Sequence, residues 1–317
     1  DTVEWLGIQP WSDGQVGTMG GSYSGSDQCA LATLAPPHLK TMIVAVGASN
    51  YYYGSMRQNG TLEQRFHIYI FRMAITSREA MADPALKAEL IRTFTQDLHQ
   101  IVERFPLREG ATVLRRLPSY ERWAIDILTH GEYDDYWKQR GYAPDEYYHE
   151  HSDVPSLYVG GWYDSYARNT TESYMQLSRI KSSPQRLLMG PWTHGKYEVT
   201  TSGDLEFGTE SHVDFNDLRL SWFDHYLKGL YTDVADWSPV RIFTMGSGET
   251  GSSIIGAPGE ASDYPGHIRH GGYWRSEPDW PLPETEFTRY HMHGDGSLSP
   301  DSPAADDHIP SSSGFTF

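Results

Sequence analysis

An α/β fold with a parallel sheet is what this 317-residue chain predicts, from three observations. Thr41-Met42-Ile43-Val44-Ala45-Val46, Ser156-Leu157-Tyr158-Val159-Gly160-Gly161 and Gln185-Arg186-Leu187-Leu188-Met189-Gly190 are short, nearly unbroken apolar runs. Such runs suit strands buried on both faces, as parallel strands covered by helices are. Helical periodicity lies between them. A Gly/Ser-rich corner, Gly20-Gly21-Ser22-Tyr23-Ser24-Gly25, sits ahead of the first run.

In chain order, Val3, Trp5, Leu6 and Ile8 predict a short helix ending before Pro10. A strand follows over residues 15–19, then the corner, then a small-residue segment at 26–34 that can be helical. The texture from 61 to 146 is helical; over 87–105, Leu90, Ile91, Phe94, Leu98, Ile101 and Val102 recur close to a 3.6 period. A further helix is expected over 169–180. After Trp237-Ser238-Pro239 the chain turns rich in Gly, Pro and Ser, with strand-like runs at 240–245 and 288–293 and a strand-like alternation at 314–317. The expected organisation is a core of 1–60 and 148–237, a helical cap insertion at 61–147, and a β domain from 238 to 317.

Composition narrows the function. A formal charge of −17 argues against nucleic acid or an anionic membrane as partner. No apolar run approaches the roughly 18 residues of a transmembrane helix. Cys29, the single cysteine, excludes intrachain disulfides and thiolate metal cages and reads as a small buried residue. The first residues carry no signal that assigns a compartment, so a soluble, cytoplasmic protein is the default and homo-oligomerisation stays open.

The chemistry starts at Ser22. A serine on a sharp strand-to-helix turn is exposed for attack, and its neighbours, Gly20 before and Ser24 after, are small enough for strand and helix to approach closely. The strict Gly-x-Ser-x-Gly pattern is missed, since Ser24 stands at the second glycine. An acyl-transferring serine needs a base and a carboxylate that orients the base. Asp164, in Gly160-Gly161-Trp162-Tyr163-Asp164, follows the second buried strand, and His194, in Gly190-Pro191-Trp192-Thr193-His194-Gly195, follows the third. All three residues lie past carboxyl ends of strands, where open α/β sheets bind ligands. Asp153 is a rival carboxylate; His149, His151 and His212 are rival bases, the first two on the wrong side of their strand.

These motifs resemble those of the CocE/NonD serine hydrolases, which include cocaine esterase, α-amino acid ester hydrolases and X-prolyl dipeptidyl-peptidases. Trp5-Leu6-Gly7-Ile8-Gln9-Pro10-Trp11, Trp222-Phe223-Asp224-His225-Tyr226-Leu227-Lys228-Gly229 and Trp274-Arg275-Ser276-Glu277 with Trp280-Pro281 are similar to further segments of that family. The resemblance implies an α/β-hydrolase core, a helical cap and the start of a C-terminal jelly roll of the galactose-binding type. It implies Ser22 as nucleophile, Asp164 as orienting acid, His194 as base and the Tyr23 N–H as an oxyanion donor, with no cofactor or metal. By the family pattern, the early strands with a second oxyanion donor, a tyrosine, and the rest of the jelly roll would lie outside this chain, leaving a bare sheet edge.

The expected substrate is a small ester, amide or peptide. Tyr51 and Tyr52, with Trp162 and Trp192 from the motifs, are expected at the substrate, with core packing as the alternative for the tyrosines. Asp134 and Asp135 could bind a substrate ammonium, as acidic residues do in α-amino acid ester hydrolases; a solvated helix face is the favoured reading. His291 and His293 read as surface histidines. The alternatives to a general acyl hydrolase are an X-prolyl dipeptidyl-peptidase, which needs an acidic subsite for a free amino terminus, and an inert carbohydrate-binding protein.

Overall fold

The computed structural model describes residues 1–103, 106–246, 253–254 and 265–304. Phe105, at the end of the expected 87–105 helix, and the 314–317 alternation lie outside these residues. The chain divides into two compact units, Asp1–Trp280 and Pro281–Phe317.

The first unit is built on a six-stranded sheet. Its strands are β1 (Val16–Gly21), β2 (Leu39–Ala45), β3 (Ser156–Gly161), β4 (Gln185–Gly190), β5 (Val240–Met245) and β6 (Gly272–Glu277), and they neighbour one another in chain order. The first five run parallel; β6 pairs antiparallel with β5. Helix α1 (Thr2–Gly7) precedes β1, and α2 (Tyr23–Ala32) connects β1 to β2. The central strand β3 is buried along its whole length, as its unbroken apolar run requires.

Between β2 and β3 the chain leaves the sheet for the helical insertion. It contains α3 (Tyr51–Gly54), α4 (Gln64–Ala74), α5 (Arg78–Ala82), α6 (Pro84–Arg92), α7 (Leu98–Val102) and α8 (Pro118–Thr129). The expected helix at 87–105 is interrupted by a π-helical turn, Thr93–Asp97, between α6 and α7. Ile70, Phe71, Leu90, Ile127 and Trp137 form a core of the insertion's own. Helix α9 (Ala167–Ile180) packs on β3 and β4, and α10 (Phe215–Lys228) packs on the other flank of β2. The Trp222 indole on α10 is fully buried and donates to the Thr41 hydroxyl at 2.8 Å, fixing that helix to β2.

The β domain expected from 238 is corrected by this topology. Val240–Met245 is the fifth strand of the main sheet, in parallel register with β4. The segment Trp274-Arg275-Ser276-Glu277, expected to open a jelly roll, lies on β6 of the same sheet. An alternating strand announces its own pleat but not which sheet will pair with it. In the second unit, only His291–Met292 of the expected 288–293 strand forms, paired with Leu298–Ser299. No helix among the described residues is long and apolar enough to cross a membrane.

Two buried histidines give the first unit an acid limit. Burial lowers both His67, whose Nε2 faces the Ala124 carbonyl, and His151 from 6.5 to about 4. Below pH 6.5 the unfolded chain protonates both while the folded chain does not. The stability they contribute is complete above that pH and is lost as pH falls toward 4. Asp145, raised to about 6 by desolvation, acts oppositely, since it holds a proton that the unfolded chain has released. Between about pH 6 and 4 the three groups leave one net proton taken up on unfolding. They should therefore tilt stability down by about 1.4 kcal/mol per pH unit of acidification. Urea denaturation across this range should show His151→Gln flattening that slope by about the same amount.

Candidate active site

Three loops at the carboxyl ends of β1, β3 and β4 meet over the sheet. Ser22 leaves β1 at φ 60° and ψ −130°, a conformation that side chains rarely adopt. It is held there from both sides. The Ser22 N–H donates to the Ala45 carbonyl at 3.0 Å, and the Ser22 carbonyl accepts from the Gly25 and Ser26 N–H groups. The Ser26 hydroxyl, buried under the turn, accepts the Ala48 N–H at 2.8 Å.

Only small residues allow this corner. A Cβ at Gly20 would sit 2.1 Å from the Ser24 carbonyl oxygen, and one at Gly25 would sit 2.8 Å from that of Ala45. Gly25, one position beyond the second glycine of the strict Gly-x-Ser-x-Gly pattern, is thus where α2 touches β2. That contact explains why Ser24 is tolerated two residues after the serine.

The predicted histidine and aspartate converge on Ser22. His194 Nε2 lies 2.8 Å from Ser22 Oγ, and His194 Nδ1 lies 2.7 Å from Asp164 Oδ2. The Asp164 side chain is fully shielded, while that of His194 is 40% exposed. Asp164 Oδ1 also accepts the Tyr166 N–H at 2.8 Å, so the carboxylate both faces the imidazole and caps the turn into α9. The Tyr166 ring packs beside the imidazole, with centroids 5.4 Å apart. Tyr23 is the first residue of α2, so its N–H has no intrahelical acceptor and opens beside Ser22.

Three of the four rivals have partners elsewhere. Asp153 accepts from the backbone of Ser182 and Ser183. His151 is buried against Ser152, and His149 lies beside Glu150. Burial pushes the Cys29 thiol up to about 12, which keeps it neutral.

A cavity of about 1080 Å³ opens from Ser22 and His194 under the helical insertion. A second, of about 360 Å³, lies on the other side of the same two residues, along β1 and β2. Of the aromatics expected at substrate, Tyr51 lines the larger cavity. Burial raises its phenol, which therefore stays protonated. Tyr52 is instead buried in the insertion's core, its hydroxyl donating to the Gly131 carbonyl. Trp192 and Trp162 hold the site loops rather than line either cavity. The Trp192 indole donates to the Ser211 carbonyl and the Trp162 indole to that of Phe243. Asp134 and Asp135 line neither cavity; Asp134 pairs with His130 at 2.6 Å, in a turn rather than on a helix. The π turn brings Phe94 into the larger cavity, and α4 adds Arg65, Tyr69 and Arg72. The 3–4 spacing along 65–72 was the available signal for that wall.

Residues 1–196 match the profile of X-Pro dipeptidyl-peptidase (S15 family). The chain belongs to the S15 family. The S15 member described here is 26% identical to cocaine esterase of Rhodococcus sp. (strain MB1 Bresler), over 94% of this chain and 48% of that protein. Its fold resembles an aminopeptidase from a marine sediment Thaumarchaeota archaeon, with a TM-score of 0.58, 21% identity, and coverage of 96% of this chain and 45% of that one. It also resembles a CocE/NonD family hydrolase from Staphylococcus aureus, with a TM-score of 0.56, 20% identity, and coverage of 93% and 39%. The chain spans about half the length of the curated relatives it matches.

The corner gives a direct prediction. Gly20→Ala should destabilise the first unit by about 1–3 kcal/mol, because the backbone of Ser24 cannot yield without opening the turn. Urea denaturation measures it, with Gly141→Ala, where an added Cβ meets nothing within 4 Å and the backbone is not left-handed, as the comparison on the surface.

Proposed function

We propose that this chain carries the acyl-transfer centre of a serine hydrolase that cleaves esters or amides through an acyl-enzyme. The observation that carries this reading is the continuous hydrogen-bonded line from Ser22 Oγ through His194 to the shielded Asp164. Membership of the S15 family supports it.

In the proposed reaction, Ser22 Oγ attacks the substrate carbonyl carbon while its proton passes to His194 Nε2. The carbonyl oxygen gains negative charge, and the Tyr23 N–H at the start of α2 is aimed to receive it. As the tetrahedral species collapses, the bond to the leaving group breaks and His194 returns the proton to that alkoxide or amine. Water then attacks the acyl carbon, giving its proton to His194, and Ser22 Oγ leaves as the hydroxyl is restored. Asp164 keeps Nδ1 protonated, so Nε2 faces Ser22 as the acceptor.

The two cavities meeting at Ser22 and His194 suit the two halves of such a substrate, one for the acyl group and one for the leaving group. An X-prolyl dipeptidyl-peptidase would use the same centre, but it needs a carboxylate for the free amino terminus. No Asp or Glu lines the larger cavity among the described residues.

Ser22→Ala in the full-length protein should abolish fluorophosphonate labelling and lower hydrolysis of short 4-nitrophenyl esters by about 10³-fold or more. Asp164→Asn should retain Ser22 but lose about 10⁴-fold in kcat through the wrong imidazole tautomer. Parent-level ester hydrolysis by Ser22→Ala would sink the assignment.

A further inference from the structure

We propose that the larger cavity selects an anionic group, a carboxylate above all, carried on an apolar or aromatic frame. The proposal rests on the hydrolase reading and names the substrate class of that site. The wall is mostly ring and aliphatic surface, including Tyr51, Phe66, Tyr69, Phe94 and Trp123. Apart from His194, the side chains in it that carry charge are Arg65 and Arg72. No carboxylate is among the lining residues described, although Asp27 lies near enough to act on the Tyr51 phenol. Asp164 faces His194, Asp134 faces His130 and Asp145 accepts from Asn50.

Both arginines belong to α4, seven residues apart, which puts them on one side of the helix about 10 Å apart along its axis. Arg65 marks the catalytic end, since its Nη2 donates to Ser165 Oγ at 2.7 Å, next in sequence to Asp164. It stacks on Phe66 and has Glu63 at 4.0 Å. Arg72 lies two turns further along and has no carboxylate within ion-pair distance among the described residues. The other face of the helix, with Ile70, Phe71 and Ala74, is buried in the insertion's core, so α4 is held and cannot roll the arginines away.

A guanidinium stays protonated at any working pH and offers a planar fork that matches a carboxylate. Beside an aromatic wall its charge is less screened than in open water, although Arg72 is itself solvent-exposed. A carboxylate entering here therefore finds a partner with none of its own. An ammonium meets like charge at both levels of the cavity. That is the reverse of a subsite built for a free amino terminus. The two helical turns between the arginines favour a long acid over a short one, and an eight-carbon dicarboxylic half-ester spans a comparable length.

The test compares three 4-nitrophenyl esters of equal chain length in the full-length protein: the octanoate, the suberate half-ester and the 8-aminooctanoate. The half-ester should exceed the amino ester in kcat/KM by about tenfold or more at low ionic strength, with the gap narrowing in salt. Arg72→Gln should lower the half-ester to octanoate ratio by about tenfold, equivalent to about 1.4 kcal/mol. Arg72→Lys should keep most of that ratio, and Arg72→Glu should favour the amino ester. Calorimetry with 4-phenylbutyrate and 4-phenylbutylamine, which have no bond to cleave, reads the same preference without turnover. Equal rates for acid and amino esters, alongside Ser22-dependent octanoate hydrolysis, would overturn the charge proposal and leave the hydrolase reading standing. Absence of octanoate hydrolysis with acid-selective binding would overturn the hydrolase reading and retain the charge preference. Tighter binding of the amine overturns the proposal outright.

Discussion

The backbone of Ser22 is the constraint on which the site depends. A non-glycine residue at φ 60° and ψ −130° costs on the order of 1–3 kcal/mol, and it persists only where its surroundings leave no alternative. Here β1 runs straight into α2, and the helix is pressed against β2 at Gly25 and Ala45. The Ser22 N–H and carbonyl are both bonded within that junction. Relaxing the serine would require pulling α2 off the sheet. The strain is thereby converted into position: the hydroxyl is turned toward His194 as the chain enters α2.

The same economy appears in the loops that carry Asp164 and His194. Each follows a parallel strand, and the register of β3 with β4 brings Gly161 opposite Gly190, so the two loops leave the sheet side by side. Trp192 is buried beneath them. Its carbonyl accepts the Tyr163 N–H, and the Gly190 carbonyl accepts the Trp162 N–H. Loss of either indole would loosen the loop geometry rather than a substrate contact. These tryptophans are motif residues because a fixed imidazole requires a fixed loop. The 2.7 Å and 2.8 Å contacts of His194 are the outcome of that packing.

The insertion supplies what the sheet cannot, a wall. Helix α4 presents one face to the insertion's core and the other to the cavity, so one eleven-residue helix both packs the core and walls the cavity. The network at Asn50 joins the two parts. Its carbonyl oxygen caps α3 through the Tyr52 and Tyr53 N–H groups, while its amide donates to Asp145 and Tyr133. Tyr51, the first residue of α3, is held at the cavity by this arrangement.

Sequence alone determined the parts governed by local pattern. Buried parallel strands must be apolar on both faces, so β2, β3 and β4 could be read directly. A strained turn must be flanked by small residues, so Ser22 could be found, and Asp164 and His194 followed from their places after strands. Tertiary structure decided everything that depends on a partner distant in sequence. It took 240–245 and 272–277 into the main sheet, because an alternating strand does not encode which edge it will join. It buried Tyr52, Trp162 and Trp192 as supports and left Tyr51 at the cavity, since an aromatic ring satisfies either role until its neighbours are known. It withdrew Asp134 to His130 and gave the cavity the two arginines of α4 instead. Charge in a binding site is a sum over side chains from several elements, and only folding brings its members to one wall.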